Sequence, residues 1–222
     1  MNAALVMYGK ALRQAAAGLT TPIDLRSPTG QTLARMDAAQ WFGDPRPGDE
    51  TVLDACAGAT LDVGCGPGRL VSALALRGVP ALGIDISEEA IMHAHRRGAA
   101  ARLCDVFSDV PDTGWWAHVL LIDGNIGIGG TPVHLLRQCV KLLRAKGTLI
   151  AEVGAPGSRT WRRRVQLHHD GACTPPFPWA AVAIDDLAPL AARAGLAVLE
   201  HWSVANRWFT RLTPKDRNDD ES

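Results

Sequence analysis

The chain has 222 residues, of which 47% are hydrophobic and 21% charged, and this balance excludes a mainly disordered protein. Lysine plus arginine and aspartate plus glutamate number 23 each, so no net charge attracts nucleic acid or an anionic membrane. A chain of this length buries roughly 70% of its unfolded surface around one core, which favours a single domain.

Neither a disulfide framework nor a metal site is predicted, because the five cysteines are widely spaced and form no CxxC pair. Lys10 and Arg13 interrupt the N-terminal segment before a secretory apolar core forms, and no apolar run approaches the roughly 20 residues of a membrane helix. We therefore expect a cytoplasmic protein that does not bind membranes.

The N-terminal part, residues 1–58, is expected to form an extension of the domain. Residues 3–18 carry apolar side chains at helical spacing and predict an amphipathic helix, which serves either as a lid or as a cap. Residues 20–50 are rich in proline, glycine and aspartate, which predicts a segment of turns without a core of its own. A short helix is predicted over 50–56.

From residue 60 onwards, short apolar runs alternate with helical patterns, as is typical of βαβ units in a parallel sheet covered by helices on both faces. The predicted strands cover residues 60–63, 81–84, 101–104, 118–122 and 147–153. The predicted helices between them cover residues 69–77, 88–97 and 132–144. This alternation predicts an α/β fold with a doubly wound sheet.

The C-terminal part breaks this rhythm. Residues 154–183 are predicted to be an insertion on the substrate side of a single domain spanning 1–213. A helix over 184–194 and strands over 196–204 and 207–212 follow, with Asn206 in a tight hairpin turn. The polar residues 214–222 predict a disordered tail.

The most informative pattern is a glycine-rich loop between the first predicted strand and helix. It has the form D-x-G-x-G-x-G, made by Asp62, Gly64, Gly66 and Gly68. A dinucleotide-binding loop would place its third glycine at the position of Arg69, so an NAD-dependent oxidoreductase is disfavoured. The carboxylate of Asp62 suits a ligand that carries an ammonium group rather than a pyrophosphate.

With this loop and the strand ends that follow it, the chain resembles the class I S-adenosylmethionine (SAM) dependent methyltransferases over residues 60–212. The resemblance implies a Rossmann-like sheet of seven strands in the order 3-2-1-4-5-7-6, with strand seven antiparallel. It also implies SAM as the cofactor and methyl transfer by in-line displacement as the reaction.

The resemblance further implies which residues bind the cofactor. Asp85, at the end of the second strand, would hold the ribose hydroxyls, while Asp105 and Val106, after the third strand, would contact the adenine. The predicted cofactor-binding residues are Asp62, Gly64, Cys65, Gly66, Gly68, Asp85, Ile86, Asp105, Val106 and Asp123.

The acceptor is expected to be a small molecule. At the end of strand four, family members that methylate nucleobase amines carry Asn or Asp, two prolines and an aromatic residue, whereas this chain has Asp123-Gly124-Asn125. We predict that Asp123 and Asn125 orient the acceptor beside the methyl group. Asp123 is either a general base or a carboxylate that braces its loop.

Within the insertion, Arg163 and Trp179 are the predicted substrate-binding residues. Alternation along a strand places Trp161, Arg163, Val165 and Leu167 on one face. Aromatic side chains beside arginine suit a small aromatic or carboxylated acceptor. The alternative is a solvent-facing hairpin whose arginine side chains point outward.

A rival function of another class is a SAM-binding scaffold or regulatory protein without chemistry of its own. An intact glycine loop is compatible with either function, and the sequence specifies neither the acceptor atom nor the oligomeric state.

Overall fold

The computed structural model describes residues 2–215. The helices are α1 (Ala3–Ala16), α2 (Asp49–Asp54), α3 (Arg69–Leu76), α4 (Glu88–Arg96), α5 (Pro132–Leu142) and α6 (Ile184–Arg193). The strands are β1 (Pro22–Arg26), β2 (Thr32–Asp37), β3 (Thr60–Val63), β4 (Ala81–Asp85), β5 (Ala101–Leu103), β6 (Trp116–Leu121), β7 (Leu143–Val153), β8 (Trp161–His169), β9 (Ala172–Cys173), β10 (Phe177–Ala181), β11 (Leu196–Val204) and β12 (Arg207–Pro214). Two 3-10 segments, Ala38–Trp41 and Asn125–Gly130, complete the elements.

Seven strands form the main sheet, in the order β11-β12-β7-β6-β3-β4-β5. The pairs from β5 to β7 are parallel, and β12 is antiparallel to both β7 and β11. The predicted strand order and the antiparallel seventh strand are therefore confirmed. Apolar cores lie against both faces of this sheet, one including side chains of α5 and α6 and the other side chains of α2 and α3.

The boundaries of two C-terminal elements differ from the predictions. The predicted helix over 132–144 ends at Leu142, because the chain turns directly into β7. Strand β12 continues to Pro214, which pairs with Leu196, so the predicted domain end at 213 is too early. The rest of the predicted tail, 216–222, lies outside the described residues. The hairpin turn at Asn206 is confirmed, with left-handed φ angles of 52° at Ala205 and 60° at Asn206.

A second sheet, here called the cover sheet, has the strand order β10-β8-β1-β2 with β9 paired to β8. The prediction that 20–50 lacks a core of its own is wrong, because β1 and β2 form a hairpin in this sheet and Ile23 packs against α1. The sequence conceals this strand because Asp24 lies in its middle. Arg26 and Arg35 neutralise that carboxylate, which allows it to be buried.

The insertion 154–183 supplies β8, β9 and β10, so it joins the N-terminal hairpin rather than standing alone. Leu25 of β1 pairs with Leu167 of β8. No helix within residues 2–215 has the length and apolarity needed to cross a membrane.

Candidate active site

The glycine loop turns sharply between β3 and α3. Gly64, Gly66 and Gly68 adopt left-handed φ angles of 73°, 53° and 81°, which side chains disfavour. A Cβ atom on Gly68 would lie 2.7 Å from the Cβ of Ala99, so this glycine also permits close packing against α4 and the turn that follows it. The loop therefore requires glycine at these positions, and its backbone at Gly64 and Gly66 lines the cavity.

Cys65 belongs to the loop, but its side chain points into the protein. A Cβ on Gly83 would lie 2.5 Å from its Sγ, so the thiol packs directly against β4. Burial raises the pKa of this thiol well above its ordinary value. Cys65 therefore offers its backbone, and not a reactive thiol, to a ligand.

Asp85 links the end of β4 to the glycine loop. Its Oδ2 accepts a hydrogen bond from the backbone N–H of Gly66 at 3.0 Å, and its Oδ1 accepts one from the N–H of Ser87 at 2.8 Å. Burial nevertheless raises the pKa of this carboxyl. The next residue, Ile86, is 47% exposed and lines the same cavity as Asp85.

Asp62 is 3% exposed and lies at the end of β3, facing the cavity. Burial, reinforced by the charges of Asp123 and Asp85, raises its pKa to about 8. Within residues 2–215, no donor forms a hydrogen bond to its side chain. A buried carboxylate without a partner is costly, so its position fits a ligand that supplies a positive charge.

The two residues predicted to contact adenine lie after β5, along the same cavity. Asp105 is exposed, and its Oδ1 accepts a hydrogen bond from the backbone N–H of Phe107 at 2.9 Å. Val106 is buried beneath it. This geometry leaves the second carboxylate oxygen of Asp105 available to a ligand.

The cavity measures about 1010 Å³ and runs from the glycine loop to the cover sheet. Helix α1 closes one side of it through Tyr8, whose ring packs edge-on against Trp41 at 5.5 Å. A Cβ on Gly66 would lie 3.2 Å from the Tyr8 hydroxyl. Burial, with the nearby charge of Asp85, raises the pKa of Tyr8.

Tyr8 was not among the residues predicted for the site. It is the only tyrosine of the chain and lies on the helix predicted to be a lid or a cap. The sequence thus draws attention to Tyr8 and to its helix, but no local pattern indicates which side chain of the helix reaches the glycine loop. The structure places α1 beside the glycine-loop end of the cavity.

Asp123 and Asn125 lie where β6 ends, as predicted. Both oxygens of Asp123 accept hydrogen bonds from guanidinium groups, Oδ1 from Arg46 at 2.8 Å and Oδ2 from Arg69 at 2.5 Å. The Nδ2 of Asn125 donates to the carbonyl oxygens of Val63 at 2.9 Å and Gly64 at 3.0 Å. This geometry favours the bracing role for Asp123 over the base role.

A buried charge network surrounds Asp123 and includes charges that no local sequence pattern connects. Arg207 pairs with Glu152 at 2.8 Å and with Asp49 at 2.7 Å, and Asp49 also pairs with Arg69. Burial works to raise the pKa of Glu152, but hydrogen bonds from Arg207 outweigh it and lower that pKa. With Arg46, the network contains three arginines and three carboxylates, so its charges balance.

Arg163 and Trp179 are register partners in the β8–β10 pair, and both line the cavity where it borders the cover sheet. Trp161 and Leu167 line it too, as the alternation predicted. The indole of Trp179 packs against the segment that follows Asn125, since a Cβ on Gly127 would lie 2.6 Å from its Nε1. The insertion therefore reaches the end of β6.

Comparison with known proteins agrees with this architecture. Residues 60–147 match the family described as "Methyltransferase domain". A SAM-dependent methyltransferase from Bacteroides fragilis, crystallised with S-adenosyl-L-homocysteine, superimposes with a TM-score of 0.78 at 21% identity over 94% of each chain. The CcbJ methyltransferase from Streptomyces caelestis gives a TM-score of 0.62 at 18% identity, covering 80% of this chain and 94% of that one.

A third similar structure is the 1,6-didemethyltoxoflavin N1-methyltransferase from Burkholderia thailandensis, with a TM-score of 0.55 at 18% identity over 71% of each chain. At such identities these structures establish the fold. No curated protein matches the chain by sequence. The domain match covers residues 60–147, less than half of the chain, and the main sheet has the strand order that the resemblance to the class I SAM-dependent methyltransferases implied.

Proposed function

We propose that this protein transfers the methyl group of SAM to a small-molecule acceptor. The observation that supports this proposal is the continuous cavity, which joins the Asp62 and Asp85 carboxylates at one end to Arg163 and Trp179 at the other. Cofactor and acceptor would meet in the middle of it, beside Asn125. Such a crevice at the carboxyl ends of the strands is where ligands bind in doubly wound sheets.

The cofactor end offers groups for the ammonium, ribose and adenine parts of SAM. Asp62 would pair with the ammonium group, Asp85 would accept from the ribose hydroxyls, and the segment at Asp105 and Val106 would border the adenine. Asp85 also holds the N–H of Gly66 in place, so one residue shapes the loop and the ribose site together. When bound, SAM supplies an electrophilic methyl group on its sulfonium.

The acceptor is proposed to be small because the cavity is covered. Helix α1 and the cover sheet lie over it, and its volume of about 1010 Å³ is at the upper end of small-molecule sites, as expected for a cofactor and a substrate together. The B. thailandensis enzyme was crystallised with 1,6-didemethyltoxoflavin as well as S-adenosylhomocysteine, which supports the same use of this fold.

We further propose that Asp123 and Asn125 act by positioning. Asn125 ties the turn after β6 to the carbonyls that end β3, and Asp123 holds that turn to the charge network. The chemical step then needs alignment of the acceptor and exclusion of water more than a dedicated base. For an acceptor that is already nucleophilic, this arrangement is sufficient.

The proposal is tested by incubating the protein with SAM labelled in its methyl group and a metabolite extract, followed by mass spectrometry of labelled products. We expect a labelled small molecule that is missing with the Asp85→Ala variant. A SAM-binding scaffold would bind S-adenosylhomocysteine in calorimetry without moving label to any metabolite. That result would refute the enzyme function while leaving the cofactor site intact.

A further inference from the structure

The two ends of the cavity carry acidic and basic side chains, respectively. The cofactor end contains the carboxylates of Asp62 and Asp85, whereas Arg159 and Arg163 line the end near the cover sheet. Neither arginine forms an ion pair or a side-chain hydrogen bond with any other residue in the range 2–215. Arg69 also borders the cavity, but its charge is neutralised by Asp49 and Asp123. The unneutralised positive charge therefore lies at the acceptor end.

The two arginines next to Arg163 on β8 do not share its free guanidinium. Arg162 donates from Nε to the carbonyl oxygen of Gly130 at 2.9 Å, and Arg164 donates to the carbonyl oxygen of Pro176. Arg162 ties the insertion to the segment before α5, Arg164 makes its bond within the insertion, and neither lines the cavity. Arg163, the arginine of this run that lines the cavity, is itself exposed and keeps its guanidinium free for a ligand.

Aromatic side chains surround this free guanidinium. The Cζ of Arg163 lies 5.3 Å from the ring centroid of Trp161, and Trp179 is its partner in the register of β8 and β10. Phe177 packs edge-on to Trp179 at 6.2 Å. Flat apolar surfaces next to a planar guanidinium bind a ring by stacking and its anionic substituent by paired hydrogen bonds.

Resting on the proposed function, we propose that the acceptor is an aromatic carboxylate. Its ring would lie against Trp161 and Trp179, and its carboxylate would be held by Arg163, with Arg159 adding positive charge. Because Trp179 packs against the segment that follows Asn125, a ring bound there would direct its far edge towards the end of β6. The cavity would thus hold a cation and an anion at its two ends.

The first test separates the metabolite extract by anion exchange into an anionic pool and a pool of neutral and cationic compounds. Each pool is incubated with the protein and methyl-labelled SAM. We expect label in the anionic pool, in a product that absorbs as an aromatic compound and loses carbon dioxide on fragmentation. Label confined to the other pool would overturn the inference and leave the proposed function standing.

The second test compares Arg163→Gln with Arg164→Gln, a matched change on the same strand but on the opposite face. With the purified acceptor, we expect Arg163→Gln to raise KM by about tenfold or more, because a charge-assisted pair is lost. Arg164→Gln should leave KM within about twofold. Affinity for S-adenosylhomocysteine should be unchanged in both variants, which also confirms that they are folded.

Benzoate, a bare aromatic carboxylate, provides a check with the purified acceptor that needs no change to the protein. Benzoate should inhibit the native enzyme competitively with the acceptor, and benzamide, which has the same shape without the charge, should inhibit at least about tenfold more weakly. Equal inhibition by the two compounds, or a native preference for benzamide, would refute the role assigned to Arg163.

Discussion

The affinity for the cofactor should depend on pH through Asp62. Burial raises the pKa of this carboxyl to about 8, so near pH 6 the empty site holds it protonated. A ligand with an ammonium group favours the ionised form, and the proton must then leave. Below the raised pKa, each pH unit changes the binding free energy by about 1.4 kcal/mol, which is about tenfold in affinity. Binding should therefore tighten by up to about a hundredfold between pH 6 and pH 8 and level off above.

Calorimetry with S-adenosylhomocysteine at several pH values measures this directly. Asp62→Asn keeps the shape of the side chain and removes its titration, so most of the pH dependence of binding should disappear. A smaller pH dependence should remain from Asp85, because burial also raises the pKa of that carboxyl. Asp105→Asn is the matched control, because it alters an exposed carboxylate of the same cavity and should retain the native slope.

The same carboxyl should also affect folding. The native protein binds this proton more tightly than the unfolded chain does, so the contribution of Asp62 to stability falls as pH rises from about 4 to about 8. Asp62→Asn should gain stability over the native protein as pH increases through that range, as measured by urea unfolding.

A native affinity for S-adenosylhomocysteine that is flat from pH 6 to pH 8 would refute the assigned pairing of Asp62.

Other outcomes follow from the same site. Asp85→Ala should weaken S-adenosylhomocysteine binding at least about tenfold in calorimetry, because charge-assisted hydrogen bonds to the ribose are lost, and native affinity in the folded variant would exclude that role. Gly66→Val should abolish binding, since its φ of 53° disfavours a branched side chain and Tyr8 leaves no room for one; normal binding would show that the loop is not the cofactor site. Asp49→Asn should lower the free energy of unfolding by about 3–5 kcal/mol, because Arg69 and Arg207 lose a buried counter-charge, and a loss below about 1 kcal/mol in urea would show that the network is dispensable.

Local sequence patterns predicted the strands of the main sheet and the glycine loop of the candidate site. Alternation of short apolar runs with helical patterns indicated the strands from β3 to β7, since each element there buries a face against its sequence neighbours. The glycine loop was identified from its glycine spacing, and Asp85 from the resemblance to the class I SAM-dependent methyltransferases. These features depend on residues close together in the chain.

Tertiary structure decided the rest. The cover sheet pairs residues 22–37 with residues 161–181, and Asp24 in its β1 strand appears polar until Arg26 and Arg35 are placed beside it. Tertiary structure also decided the charge network around Asp123. Its arginines are far apart in the sequence, and each one by itself resembles a surface residue. The cost of burying a charge depends on partners that only the folded chain brings together, so local patterns do not show where such charges are buried.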